Sequence, residues 1–156
     1  MRITSTTNGI RELIQAFERS PNVFAKHIKL ALNQNLGDVQ NEAKQNHRFT
    51  ARSGMLERSI QTKDADNNLS GSVYLDLNIA KYGKWVHDGT PRHLITPTNR
   101  TSLRWATGGG FKFAKKVMHP GTKPDEFLYQ ALERKEGSIQ QRYVDAIFKA
   151  RNEVGL

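Results

Sequence analysis

The sequence predicts an α+β fold: a small antiparallel sheet packed by a long N-terminal helix and by C-terminal helices. Three observations predict it. Apolar residues recur at steps of three and four up to His47. The middle of the chain alternates in twos between turn-forming clusters, and the helical period returns after Pro124. The chain has 156 residues, with no internal repeat and no low-complexity segment, so residues 1–156 are expected to form one domain. Its expected parts are a helical N-terminus over 8–47, a sheet with loops over 50–117, and C-terminal helices over 124–154.

Asn8 is placed to cap a short helix carrying Ile10, Leu13, Ile14 and Phe17 on one face. Ser20-Pro21 reads as the N-cap and first position of a second helix, where proline has no needed N–H to lose. Phe24, Ile28, Leu32, Leu36, Val39 and Ala43 then form an apolar stripe about seven turns long, ending near Asn46-His47. Lys26, Asn33, Gln40 and Lys44 lie on the other face. A helix with one narrow stripe needs a surface to lie on, and the sheet that follows is the candidate.

Residues 48–53 are polar and turn-like, and Ser53 to Glu57 caps one short turn. Ser59–Lys63 and Ser70–Leu77 read as strands of a hairpin. Val73, Leu75 and Leu77 share one face of the second strand, and Asp64 to Asn68 supplies the turn. Ile79–Val86 is expected as a short helix stopped by Asp88-Gly89-Thr90-Pro91. Leu94-Ile95 and Leu103-Arg104-Trp105 are short strands around a polar loop, Thr96 to Thr101. Gly108-Gly109-Gly110 is a hinge or tight turn before a strand through Phe111 and Phe113. Met118 to Pro124 reads as a loop. Pro124 stands where a helix begins, with Phe127, Leu128, Ala131 and Leu132 on its buried face. Gly137-Ser138 interrupts that helix, and a last one carries Ile139, Tyr143, Ala146, Ile147 and Ala150.

With no cysteine, disulfides, thiolate metal sites and a cysteine nucleophile are excluded. No apolar run approaches the ~18–20 residues that span a bilayer, so no membrane partner is expected. Met1 to Thr7 lacks the apolar stretch of a secretory signal, so the chain is expected to be made and used without export. Lys and Arg number 24 against 15 Asp and Glu, a formal net charge of +9. That excess favours a polyanionic neighbour, either DNA or an acidic protein rim. The basic residues look scattered along the chain (Lys26, Lys29, Lys112, Lys115, Lys116, Lys149 and Arg151 among them), a pattern that reads as solvated surface.

His87 with Asp88, His93 and His119 would offer zinc ligands if the fold gathered them, but their spacing fits no compact ligand motif. Neighbours such as His87 and Asp88 point apart, so the imidazoles are expected to bond loop backbone near turns. No Gly-x-Ser-x-Gly or phosphate loop occurs. Asp76, Asp88, Asp125 and Glu126 are the acids that a magnesium nuclease would need. Asp125-Glu126, just after Pro124, is better explained by a helix N-terminus, which favours negative charge. Trp85, Trp105, Tyr74, Tyr82, Phe111 and Phe113 are expected in the core of a short-stranded sheet rather than stacking on bases. No cofactor is expected.

Four blocks carry a resemblance. They are Thr50-Ala51-Arg52-Ser53-Gly54-Met55-Leu56-Glu57-Arg58-Ser59-Ile60, Tyr82 to Thr90, Leu103-Arg104-Trp105 with Gly108-Gly109-Gly110-Phe111, and His119-Pro120-Gly121-Thr122-Lys123-Pro124 with Phe127-Leu128 and Ala131-Leu132. In this order they resemble the signatures of the siphophage tail-completion family, also called gene-product-ten-like, over roughly residues 50–132. The resemblance implies a virion protein at the head–tail neck, made in the host cytoplasm and without enzymatic activity. It implies a homo-oligomeric ring, commonly of six copies, between the connector or head-completion protein and the tail terminator or tail tube protein. DNA would pass through its lumen. Gly89, Thr90, His119, Pro120, Gly121, Pro124, Phe127 and Leu128 would be its structural motif residues. The expected assembly surface comprises Lys112, Lys115 and Lys116 together with Thr98, Asn99, Arg100 and Trp105. The alternative reading is a basic nucleic-acid-binding module.

Overall fold

The computed structural model describes residues 8–66 and 69–156, with side chains from Leu13 onward. Met1 to Thr7, Asn67-Asn68 and the side chain of Ile10 lie outside the described residues. The fold is mixed α+β, with one long helix at each end and short antiparallel strands between them.

Helix α1 spans Asn8–Gln45 without a break. The expected division at Ser20-Pro21 does not occur. Pro21 cannot donate to the carbonyl of Phe17, four residues back. The hydroxyl of Ser20 donates to that carbonyl instead, at 2.9 Å, so the proline leaves no orphaned acceptor. The stripe Leu36, Val39 and Ala43 is buried, while Leu13, Ile14 and Phe17, the face expected to pack, are exposed.

Short helix α2 (Met55–Ser59) leads into strand β1 (Ile60–Lys63), which pairs antiparallel with β2 (Ser72–Leu75) in the register Ile60↔Leu75. Helix α3 covers Gly83–Asp88, later than the expected Ile79–Val86. Backbone bonds from Ile79 and Ala80 to the Asp76 carbonyl make a turn of the preceding residues. Strands β3 (His93–Ile95), β4 (Leu103–Thr107), β5 (Gly110–Ala114) and β6 (Val117–His119) follow. Met118 and His119 are thus in a strand and not in the expected loop. The pairs are β1–β2, β3–β6 and β4–β5, three separate two-stranded ribbons where one platform was expected.

Helix α4 (Phe127–Val154) runs through Gly137-Ser138, contrary to the expected interruption. Glycine costs a helix ~1 kcal/mol relative to alanine. The apolar spacing of Phe127, Ala131, Ile139, Tyr143, Ala146 and Ala150 continues across it, and packing on α1 outweighs the local preference. The helix starts at Phe127, not at Pro124, and Gly155 in the left-handed conformation closes its end.

The two long helices lie antiparallel. Glu42 meets Arg134 and Lys135, Asp38 meets Arg142, and Glu153 meets Lys26 and His27. The core sits where α1, α2, β1 and α4 converge, with Val39, Ala43, Leu56, Ile60, Ala80, Phe127 and Ala131 buried together. Phe49, Val73, Leu75, Val86, Leu128 and Ile139 pack around them.

Candidate assembly arm and its clasp

The chain leaves the core at Gly89 and returns at Pro124. In between it runs out and back on itself. Thr90 bridges Thr122, β3 pairs with β6 from His93↔His119 to Ile95↔Val117, and β4 pairs with β5 from Leu103↔Ala114 to Thr107↔Gly110. These nested pairs form one interrupted antiparallel arm. The interruption is uneven, with the loop 96–102 on the outward strand against Lys115-Lys116 on the return. Gly108-Gly109 makes the two-residue turn at the tip, and Gly110 adopts φ 132°, a conformation that glycine tolerates.

A clasp closes the base of the arm. Thr90 and Thr122 exchange two backbone hydrogen bonds of 3.1 Å, and the Thr122 N–H also lies 3.1 Å from the Thr90 hydroxyl oxygen. Gly89 and Gly121 flank this bridge at φ 72° and 91°. A Cβ on Gly89 would stand 2.6 Å from the Thr122 carbonyl oxygen, and one on Gly121 would run into the Thr90 carbonyl. Only glycine brings the two strands this close. The Gly121 N–H donates to His119 Nδ1 at 3.1 Å, and His93 Nδ1 donates to the Pro91 carbonyl at 2.9 Å. The two imidazoles face each other across the ribbon with ring centroids 5.1 Å apart.

The clasp is tied to the core through Asp125. Its buried carboxylate accepts the backbone N–H groups of Arg48 and Phe49, both at 2.8 Å, and the Arg48 guanidinium donates to the Pro124 carbonyl at 2.9 Å. The acid was expected to serve a helix N-terminus. Instead it satisfies two donors on the segment after α1, which the resulting loop leaves without another partner. Phe127 follows, fully buried, with Phe49 and His87 packed edge-on at 5.2 and 5.1 Å. Gly89, Thr90, Gly121 and Pro124 therefore meet at the clasp, with His119 bonded to Gly121 on the arm side and Phe127 buried on the core side. Pro120 stands between β6 and the Thr122 bridge, and Leu128 is half-buried against the core.

The histidines are gathered only in part. His93 and His119 pair, whereas His87 is buried elsewhere with its Nδ1 2.8 Å from Asp88 Oδ1. That contact corrects the expectation that the two neighbours point apart. Among the described residues, no three of His, Asp and Glu are placed to hold a metal ion.

The aromatic expectation is overturned. Trp105, Phe111 and Phe113 are 40%, 56% and 64% exposed, and Trp85, Tyr74 and Tyr82 are exposed as well. A lone two-stranded ribbon has two open faces. Cross-strand partners share a face, so Trp105 sits with Lys112 on one side, and Arg104 with Phe113 on the other. The Arg104 guanidinium lies 3.7 Å over the Phe111 ring.

The basic residues are spread along the chain as expected, but the net charge is not. From Gly89 to Pro124 the chain carries Arg92, Arg100, Arg104, Lys112, Lys115, Lys116 and Lys123 and no acidic residue. The rest of the chain holds 17 basic residues against 15 acidic ones. Nearly all of the net charge therefore rides on the arm. Thr98, Asn99 and Arg100 lie in the outward loop, opposite Lys115 and Lys116, while Lys112 and Trp105 pair in register beyond them. The expected assembly residues thus share one arm. Phe111 and Phe113 belong with them, and their alternation with Lys112 was the signal for it. No protein family, no curated protein and no solved structure matches this chain.

Proposed function

We propose that this chain is a structural protein of a tailed-phage virion. In this reading it is a tail-completion subunit that assembles head to tail into a ring, commonly of six copies, at the head–tail neck. The observation that carries the reading is the arm. A folded chain keeps few large aromatics in solvent without a partner to cover them, and here three stand on one ribbon stiffened at its base. The resemblance of the motif blocks supports the same reading, since one block carries Phe127, two pack around it and the remaining one is the arm itself. The ring would sit between the connector or head-completion protein and the tail terminator or tail tube, and would work without catalysis or cofactor. The test is the particle made without this chain. Full capsids that fail to join tails are expected, and capsids that join working tails would contradict the reading.

A second reading, a nucleic-acid-binding module, is favoured by one observation, the seven basic residues and no acidic one between Gly89 and Pro124. Duplex DNA in the lumen would meet the same cations. Binding through them should weaken steeply with salt, by roughly 0.9 log unit in affinity per log unit of salt for each phosphate neutralised.

A further inference from the structure

A cavity of about 400 Å³ opens between α1, α4 and β2, walled by Leu36, Val39, Val73, Leu128, Leu132 and Ile139. Two polar side chains also line it. Asn35 and His87 are 3% and 5% exposed, and Asn35 Nδ2 and His87 Nε2 are buried without a hydrogen-bond partner among the described residues. The Oδ1 atom of Asn35 is taken by Arg142. The Nδ1–H of His87 serves the Asp88 carboxylate, and with that nitrogen as the donor Nε2 is the ring atom open to accept. A buried donor and a buried acceptor in an apolar groove each lack a mate, and such groups are costly to leave unpaired.

The geometry points to the arm of a second copy of this chain as the occupant, with Trp105 entering the groove of its neighbour. This rests on the ring reading and names the two surfaces that would meet in it. Three complementarities select the arm. An indole is apolar over its body and carries a single N–H donor, the group that His87 Nε2 accepts, while a strand carbonyl of the arm suits Asn35 Nδ2. The groove mouth exposes Tyr129 and Leu132, an apolar rim for Leu103 and Ala114, which share the Trp105 face of the ribbon. Helical spacing sets Glu133 one turn after Tyr129 and Glu136 between Leu132 and Ile139, and neither is in an ion pair among the described residues. The acid-free arm brings Lys112 beside Trp105 to meet them. Arm and groove are unlike surfaces on one chain, so the contact is heterologous and generates a ring when its rotation closes.

The absence of cysteine makes a clean test possible. Thr107→Cys on the arm and Leu132→Cys at the groove would be made as separate proteins and mixed under assembling conditions with a short bis-maleimide. A covalent dimer is expected in the mixture and in neither protein alone. Trp105→Ala added to the arm variant should reduce self-association about tenfold or more, as loss of a buried aromatic anchor does. Trp105→Phe, lacking the N–H, should fall between. A ring seen by native mass spectrometry with no mixed cross-link, or with cross-links within the arm variant alone, overturns the arm-in-groove contact and leaves the ring reading standing. A small molecule retained in the groove of the assembled protein also overturns it. A chain that stays monomeric at every concentration and on purified connector contradicts both.

Discussion

Thr90 and Thr122 lie 32 residues apart in sequence yet exchange two backbone hydrogen bonds of 3.1 Å, and their hydroxyl oxygens stand at the same distance. This bridge joins two motif blocks and sets where the arm leaves the body. Its closeness depends on the flanking glycines.

Gly121→Ala should therefore destabilise the fold. Its φ of 91° strains any side chain, and a Cβ there has backbone in its way. Left-handed strain alone is worth ~1–3 kcal/mol, with the steric clash added. Urea unfolding should show a lower midpoint for Gly121→Ala and for Gly89→Ala, while Gly108→Ala at the open tip should be nearly neutral.

Asp125→Ala should cost about 3 kcal/mol, since it leaves the N–H groups of Arg48 and Phe49 without their acceptor. Asp125→Asn keeps one acceptor oxygen and should lose less. Denaturant melts of both variants, read with amide exchange at Arg48 and Phe49, check this. Exchange at those amides that is unchanged in Asp125→Ala would contradict the assignment.

Phe127→Ala removes the largest fully buried side chain among the described residues and should cost ~3–5 kcal/mol. An unfolding midpoint equal to that of the unaltered chain would show that the core lies elsewhere.

Acid should loosen the seam between the long helices. The hydrogen bond from Lys135, with further help from Asn46 and Arg134, holds Glu42 below its ordinary value of 4.5, and bonds from His27 and Lys26 do the same for Glu153. A carboxyl lowered in the folded state contributes stability that is fully present above pH 4.5 and lost as pH falls through the folded value. Glu42→Gln with Glu153→Gln should flatten the fall in melting temperature below that pH. Glu153 is exposed and Glu42 half-buried among cations that solvent reaches, so the effect is modest and shrinks with salt.

Charge reversal at Lys112, Lys115 and Lys116 should leave the melting temperature within a degree or two, because all three are exposed on the arm. The same reversal should impair self-association and remove any salt-sensitive binding to duplex DNA. Unfolding of the triple variant would contradict the placement of these lysines.

The long apolar stripes were legible because Leu36, Val39 and Ala43 on α1, and Phe127 and Ala131 on α4, keep helical spacing and are buried together. The strands at Leu94-Ile95, Leu103 to Trp105 and Phe111 to Phe113 were legible for the same kind of reason. Helix boundaries were not legible where a local breaker was overruled. The Ser20 hydroxyl supplies what Pro21 withholds, and packing carries α4 through Gly137. Nor does the sequence show how strands combine. Alternation places Trp105 and Phe113 in a strand but is silent on whether a second layer covers it, and none does among the described residues. The missing acids between Gly89 and Pro124 were open to view, yet they became meaningful only once the segment folded back on itself. Asp125 had no signal beyond its neighbour Pro124, since its partners lie 76 and 77 residues upstream.

The central claim is that the arm exists to hold other copies of the chain. Native mass spectrometry of the purified protein, alone and with connector, tests it most directly when compared with a variant in which a short Gly-Ser turn replaces Arg104 to Phe113. The account predicts a closed oligomer of one size for the intact chain and a folded monomer for the variant. A monomer in both cases, or an oligomer indifferent to loss of the hairpin, would contradict it.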